Sequence, residues 1–205
     1  MTSLAVSRAW LKNVDKIYEN RLYDVELRLK STASPVLLQR LAALPGIGAV
    51  EQWDYSPAAL ARPGRVDLVH TYPDKGHGSL SVMAAPSKTN LVKLPLLAGR
   101  WLKADDSKAV VLNHVAAAQR PSARIGDEIV LSAAGRIRRL TLAGIVEEVG
   151  SPGVAYVSSQ AFAQLAHSDN RGRLLRIATM GSGAKDRAQA LPTIEKLLTQ
   201  EKVGV

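Results

Sequence analysis

Cysteine is absent from the 205 residues, so no disulfide can staple the chain and no thiol can act as nucleophile, redox centre or metal ligand. The absence leaves the compartment open, because a chain without cysteine suits cytoplasm and periplasm alike. Aromatic residues make up 4% of the chain, with one phenylalanine, so the core must be largely aliphatic. No apolar run approaches the roughly 20 residues that cross a bilayer. The longest near-candidate, Ala109 to Ala118, is interrupted by Asn113 and His114. The opening Met-Thr-Ser-Leu-Ala-Val-Ser-Arg lacks the charged and apolar regions of a secretory leader. Read at face value, the chain is soluble and cytoplasmic.

Catalytic signatures are missing too. Gly-x-Ser-x-Gly does not occur, and scattered Ser, His and Asp residues give a hydrolase little support. Met180-Gly-Ser-Gly-Ala-Lys-Asp186 sits between a strand and a helix, where a phosphate loop would lie. Gly183 is followed by Ala184, however, and Asp186 stands where the hydroxyl residue is needed, so a tight turn is the better reading. Gly46-Ile-Gly48 follows a helix and lacks the third glycine of a dinucleotide fingerprint, which makes it a helix end. His70, Asp74 and His77 could approach a metal across a hairpin, but zinc asks for three or four protein ligands and no further His lies near. His114 and His167 are isolated. The acid pairs Asp105-Asp106 and Glu147-Glu148 point apart from residue to residue, and read as solvated charge. No catalytic, cofactor or metal residue is therefore assigned.

Positive charge is present in excess. The formal net charge of +9 implies an acidic neighbourhood: nucleic acid, an anionic membrane surface or an acidic partner. The densest groups are Arg136, Arg138 and Arg139, then Arg171, Arg173 and Arg176; in both, alternation along a strand puts the charges on a solvated face. Trp10, Trp53, Trp101 and Phe162 are far apart in sequence, which does not favour the aromatic stacking of a nucleic-acid groove.

Periodicity gives the elements. Trp10, Leu11, Val14, Ile17 and Tyr18 have helical spacing, and Tyr23 to Lys30 alternates apolar and polar as a half-buried strand does. Ser34 and Pro35 suit the N-cap and first position of a helix with Leu37, Leu38, Leu41 and Leu44 on one stripe, ended by Pro45-Gly46. With a strand at Ala49 to Tyr55 this predicts a β-α-β unit, its two strands parallel in one sheet. Val66 to Tyr72 and Leu80 to Ala85 read as a hairpin about Pro73-Asp74-Lys75-Gly76.

From 96 onward the pattern changes. Val110 to Leu112 reads as a buried strand, and Gly126-Asp127 is a turn signal. Ile129 and Leu131 share a face, Leu140, Leu142 and Val146 another, with a hairpin across Gly135 between them. Gly144 interrupts the longer strand and marks a bulge or a close backbone approach. The expectation is a small antiparallel β subdomain. A helix at Ser159 to His167, a loop at 168–172, a strand at Leu174 to Thr179 and a helix at Lys185 to Gln200 follow, and Pro192 should kink or split the last. Gly99-Arg100-Trp101 offers a sharp bend and an apolar plate on which Arg100 or Arg120 could stack, and is read as the joint between lobes.

The predicted fold class is α+β: an α/β lobe built from two β-α units plus an inserted mostly-β lobe. Residues 1–19 form an amphipathic helical stalk, 20–95 with 171–205 the α/β lobe, and 96–170 the insertion. Both termini would lie on one lobe, which suits a module attached at one end.

Leu-Leu-Ala-Gly-Arg-Trp-Leu at 96–102, Ala-Val-Val-Leu-Asn at 109–113, Ile-Gly-Asp-Glu-Ile at 125–129, Leu-Ala-Gly-Ile-Val-Glu-Glu at 142–148 and Ala-Tyr-Val at 155–157 occur in an order with its own meaning. In that order and spacing the chain resembles the extracytoplasmic domain of FtsX/MacB-like permeases of ABC transporters, from Tyr23 to Val205. The signature residues carried over are Gly99, Arg100, Trp101, Asn113, Gly126, Asp127 and Gly144. The resemblance implies a non-catalytic domain outside the inner membrane, between the first two membrane helices of the permease. It implies as partners those helices, indirectly a cytoplasmic ATPase subunit, and a second permease copy; the cargo stays open. No adaptor-binding motif is evident, so a tripartite efflux role is not implied. The alternative expectation is a basic nucleic-acid-binding protein using the small β lobe.

Overall fold

In a computed structural model the chain is described over residues 19–61, 80–86, 88–166, 171–181 and 183–204. The predicted stalk, the first strand of the predicted 66–85 hairpin, and the His70, Asp74 and His77 group lie outside the described residues, the stalk save for Glu19. Strands β1 (Val25–Arg28), β2 (Ile47–Ala61), β3 (Leu80–Ala84), β4 (Leu96–Gly99), β5 (Ala109–Asn113), β6 (Glu128–Ala133), β7 (Arg136–Val146), β8 (Val154–Val157) and β9 (Leu174–Thr179) are accompanied by four helices among the described residues. These are α1 (Pro35–Ala42), α2 (His114–Ala117), α3 (Ser159–Leu165) and α4 (Ala184–Gln200). The class is α+β, as expected.

The first β-α unit forms for the reasons its sequence gives. Ser34 Oγ accepts from the Leu37 amide and Pro35 opens α1, whose Leu37 and Leu41 are buried. β1 and β2 do run parallel, but they are not neighbours. β9 lies between them, antiparallel to both, in the order β1-β9-β2. One face of this small sheet carries Val25, Leu175 and Ile177 against Leu41 of α1 and Ile194 and Leu198 of α4. Pro192 does not split α4, which is continuous from Ala184 to Gln200.

β2 is longer than its sequence predicted. Its Ile47–Trp53 half pairs β9, while Asp54–Ala61 pairs β3 and β6. From there the ladder runs β2-β3-β8-β5-β7, and β6 joins β7 back to β2. Six strands thus close into a small barrel. Closure satisfies both edges of each member without a free edge inside the ring. The barrel is mixed rather than antiparallel, because β3 pairs β8 and β5 pairs β7 in parallel. The expected division at residues 95 and 96 is not where the strands part: β3 and half of β2 belong to the barrel.

Alternation fills the barrel. Val82, Leu112, Ile129, Leu131, Leu142 and Ala155 point into one core, into which α3 inserts Phe162 and Leu165. Val146 does not share the face of Leu140 and Leu142. The β5–β7 register slips between Leu142 and Gly144, which sends Val146 to the outer face, where Ala143, Val111 and Tyr156 also lie. A bulge inverts alternation beyond it, and this one does so at the glycine the sequence singled out.

The β6–β7 hairpin turns across Ala134 (φ 49°) and Gly135 (φ 75°), both left-handed. A two-residue turn of this kind favours Asn at its first position, and alanine there carries a steric penalty. Ala134→Asn should raise the unfolding free energy by about 0.5–1.5 kcal/mol, read from urea melts with an unchanged m-value.

Candidate functional site

The signature residues gather around the bulge. Gly99, at φ +70°, faces Gly144 across the β4–β7 pair. A Cβ on Gly99 would lie 2.2 Å from the Ala143 carbonyl oxygen, and one on Gly144 would lie 2.2 Å from that of Arg100. Two backbones therefore touch where no side chain fits. The Arg100 amide donates to Ala143 O and the Gly126 amide to Leu142 O, while Leu142 N returns a bond to Asp127 O. Asp127 Oδ2 accepts from Arg124 N and fixes the turn into β6. Gly99, Arg100, Gly126, Asp127 and Gly144 thus form one knot of turns.

Arg100 does not stack on Trp101. Its guanidinium makes a two-point pair with Asp106, at 2.6 and 3.0 Å, and Asp106 also accepts from Lys103 N. The hydrogen bond from Arg100 holds the Asp106 carboxyl at about 2, below its ordinary 3.8. The pair is therefore at full strength above the ordinary value and is lost only as pH falls through about 2. Arg120 does not stack on Trp101 either, and donates to Ala61 O instead. The partner of Trp101 is Tyr156, with ring centres 5.2 Å apart and planes tilted by 52°. Beside that pair opens a cleft of about 310 Å³, between Ala85-Pro86 after β3, the 101–104 segment and the start of α3.

Asn113 lies apart from the glycine knot, at the N-cap of α2, and is fully buried. Its Nδ2 donates to Glu148 Oε2 and Pro152 O, and its Oδ1 accepts from Ala116 N and Val154 N, which uses its whole capacity. Glu148 is not solvated charge: it is 4% exposed and also accepts from Ser151 Oγ. It folds inward because Asn113 and Ser151 both donate to it. Burial first, and then the Glu148 carboxylate, push the Tyr156 phenol well above its ordinary value, so that it stays protonated.

The largest departure from the sequence reading is Arg176, expected on a solvated face and found 2% exposed. Its guanidinium lies 4.0 Å from the Trp53 ring centre and 4.6 Å from that of Tyr23. Nε donates to Glu26 Oε2 at 3.3 Å, and Nη2 meets Met83 Sδ at 3.7 Å. Nη1 has no partner among the described residues. The reason is topological: β9 is a middle strand, and the face opposite the helices looks toward β3 of the barrel. The missed signal was an arginine set inside the apolar run Leu174 to Ala178, as in a strand covered on both sides. Arg173 Nε donates to Leu29 O, and exposed Arg171 lies 3.8 Å from Asp54.

The other arginine group also has internal work. Arg136 and Arg138 donate to Ala166 O and Gln164 O at the end of α3, and Arg139 pairs with Glu128. In the tight turn at 180–186, Asp186 accepts from the Gly183 amide. No cluster of three or more His, Asp or Glu suited to a metal occurs among the described residues. No helix of the described residues is long and apolar enough to cross a membrane.

No protein-family model matches the sequence, and no curated protein matches it. In fold the chain is similar to an extracytoplasmic domain of an ABC-type transporter. The extracellular domain of the noncanonic ABC-type transporter YknZ from Gram-positive bacteria superposes with a TM-score of 0.51 at 14% identity, over 87% of this chain and 95% of that one. The periplasmic region of MacB from Actinobacillus actinomycetemcomitans gives 0.48 at 12% identity, over 92% and 88%. At such identities the shared property is the fold. The nucleic-acid alternative gains nothing from these likenesses.

Two stability measurements test the site. Gly99→Ala must crowd Ala143, whereas Gly126→Ala has positive φ but open space. The first should cost about 1–3 kcal/mol more than the second, and equal losses in urea melts would remove the close approach as a constraint. Arg176→Ala should cost about 3–5 kcal/mol. Arg176→Met should recover most of that, because it fills the volume and removes a buried guanidinium nitrogen that lacks a partner among the described residues.

Proposed function

We propose that this chain is the extracytoplasmic domain of an FtsX/MacB-like ABC transporter permease, with no catalytic step of its own. On this reading its partners are the membrane helices of the same permease, a second permease copy and, indirectly, a cytoplasmic ATPase. It carries helix motion outward to a cargo or partner beyond the inner membrane. The fold likeness to the YknZ extracellular domain carries the proposal. Two further observations fit it: β2 is one strand shared by both sheets, and Arg176 packs where they meet. A displacement applied to the α1 and α4 side then reaches the barrel without a flexible linker to absorb it. The two glycines in backbone contact stiffen the same unit.

The location is tested by protease treatment of spheroplasts expressing the full-length protein. Digestion of the domain without detergent is the expected result, and protection until lysis would overturn the reading. Rigid transmission is tested with spin labels at exposed Val36 on α1 and Ile137 on the barrel hairpin. Their separation should stay constant between nucleotide states of the assembled transporter. A nucleotide-dependent change in that separation would mean that the domain flexes internally and does not transmit.

A further inference from the structure

The cleft beside Trp101 takes no part in the coupling argued above, and its chemistry is specific. Its volume of about 310 Å³ lies at the lower end of small-molecule sites, roughly 300–1,000 Å³. One wall is apolar: Pro86, Leu102 and the half-buried Trp101, backed by Tyr156. The start of α3 adds the polar Ser159 and Gln160, and the one charged lining residue among the described residues is Lys103, next to Leu102. All three of these side chains are exposed, and none makes a hydrogen bond or ion pair among the described residues. The Lys103 charge is felt at Asp106, but that carboxylate is hydrogen-bonded by Arg100 and by the Lys103 backbone amide and makes no ion pair with the Lys103 amine. Among the described residues, none that lines the cleft is acidic. The chain as a whole carries +9, so the long-range field also draws anions.

We infer that this cleft binds a small amphipathic anion, its apolar body against Trp101 and Pro86 and its carboxylate at Lys103, with Ser159 and Gln160 as donors. Trp101 keeps the apolar wall in place because the Tyr156 ring packs against it. The rigid aromatic pair costs little side-chain entropy on binding. A single cationic contact at an exposed rim makes affinity modest and salt-sensitive, so recognition depends on both parts of the ligand. The inference stands on the cleft alone and is independent of the transporter proposal.

Decanoate is the probe, with decanol as the uncharged partner of equal tail length, titrated below micelle formation into the 15N-labelled full chain. Shifts should concentrate at the amides of Trp101, Lys103, Ala104, Ser159 and Gln160. Decanoate should bind several-fold more tightly than decanol. Lys103→Glu, on an exposed residue, should abolish the preference for decanoate while decanol binding persists. Ala104→Phe, also at an exposed position, should weaken both ligands by filling the mouth. Shifts centred elsewhere, equal affinity for the two probes, or a preference that survives Lys103→Glu would each overturn the inference. Absence of saturable shifts at millimolar decanoate would do so as well.

Discussion

A cation held out of water between two aromatic rings organises this molecule. Arg176 is supplied by β9, its ring partners by Tyr23 and β2, its carboxylate by β1 and its sulfur contact by the barrel strand β3. A guanidinium is weakly hydrated for a cation and has flat faces, so it can be desolvated against rings at a cost that a lysine could not meet. These neighbours come from three stretches of chain: residues 23–26, Trp53 and Met83. The guanidinium therefore fixes how the helix-covered sheet is set against the barrel.

Barrel closure makes that junction effective. β2 passes from one sheet into the other without a break, and β6 ties it back to β7. A closed ring of six strands resists shear better than an open ladder, because no strand can slide without breaking pairs on two sides. The Gly99 and Gly144 contact then pins β4 and the following turn onto the ring at the point where the register slips. The same slip turns Val146 outward and helps build the wall on which Trp101 and Tyr156 meet.

Local rules were legible in the sequence. Ser34 and Pro35 started a helix as their chemistry requires, Gly135 turned a hairpin, and Gly144 marked both a bulge and a close approach. Non-local facts were not. That β9 would come between β1 and β2 depends on a pairing across more than a hundred residues, which no window of periodicity contains. The same blindness put Arg176 and Glu148 in solvent, since alternation reports that a strand has two faces and not what covers the second. Trp101 was read as a plate for Arg100 or Arg120, and the ring packed against it is that of Tyr156.

The order β1-β9-β2 has a consequence for biosynthesis. All six barrel strands lie between residues 54 and 157, apart from the first half of β2, so the ring can close once that stretch has left the ribosome. β1 has no strand partner until Leu174–Thr179 emerges, and neither does the Ile47–Trp53 half of β2. Translation can therefore yield a closed barrel while β1 and the first half of β2 are still unpaired, their edges exposed until residues 158–179 have followed. The final strand to be made is the one that joins the other two, and it delivers Arg176 into its aromatic seat as it docks.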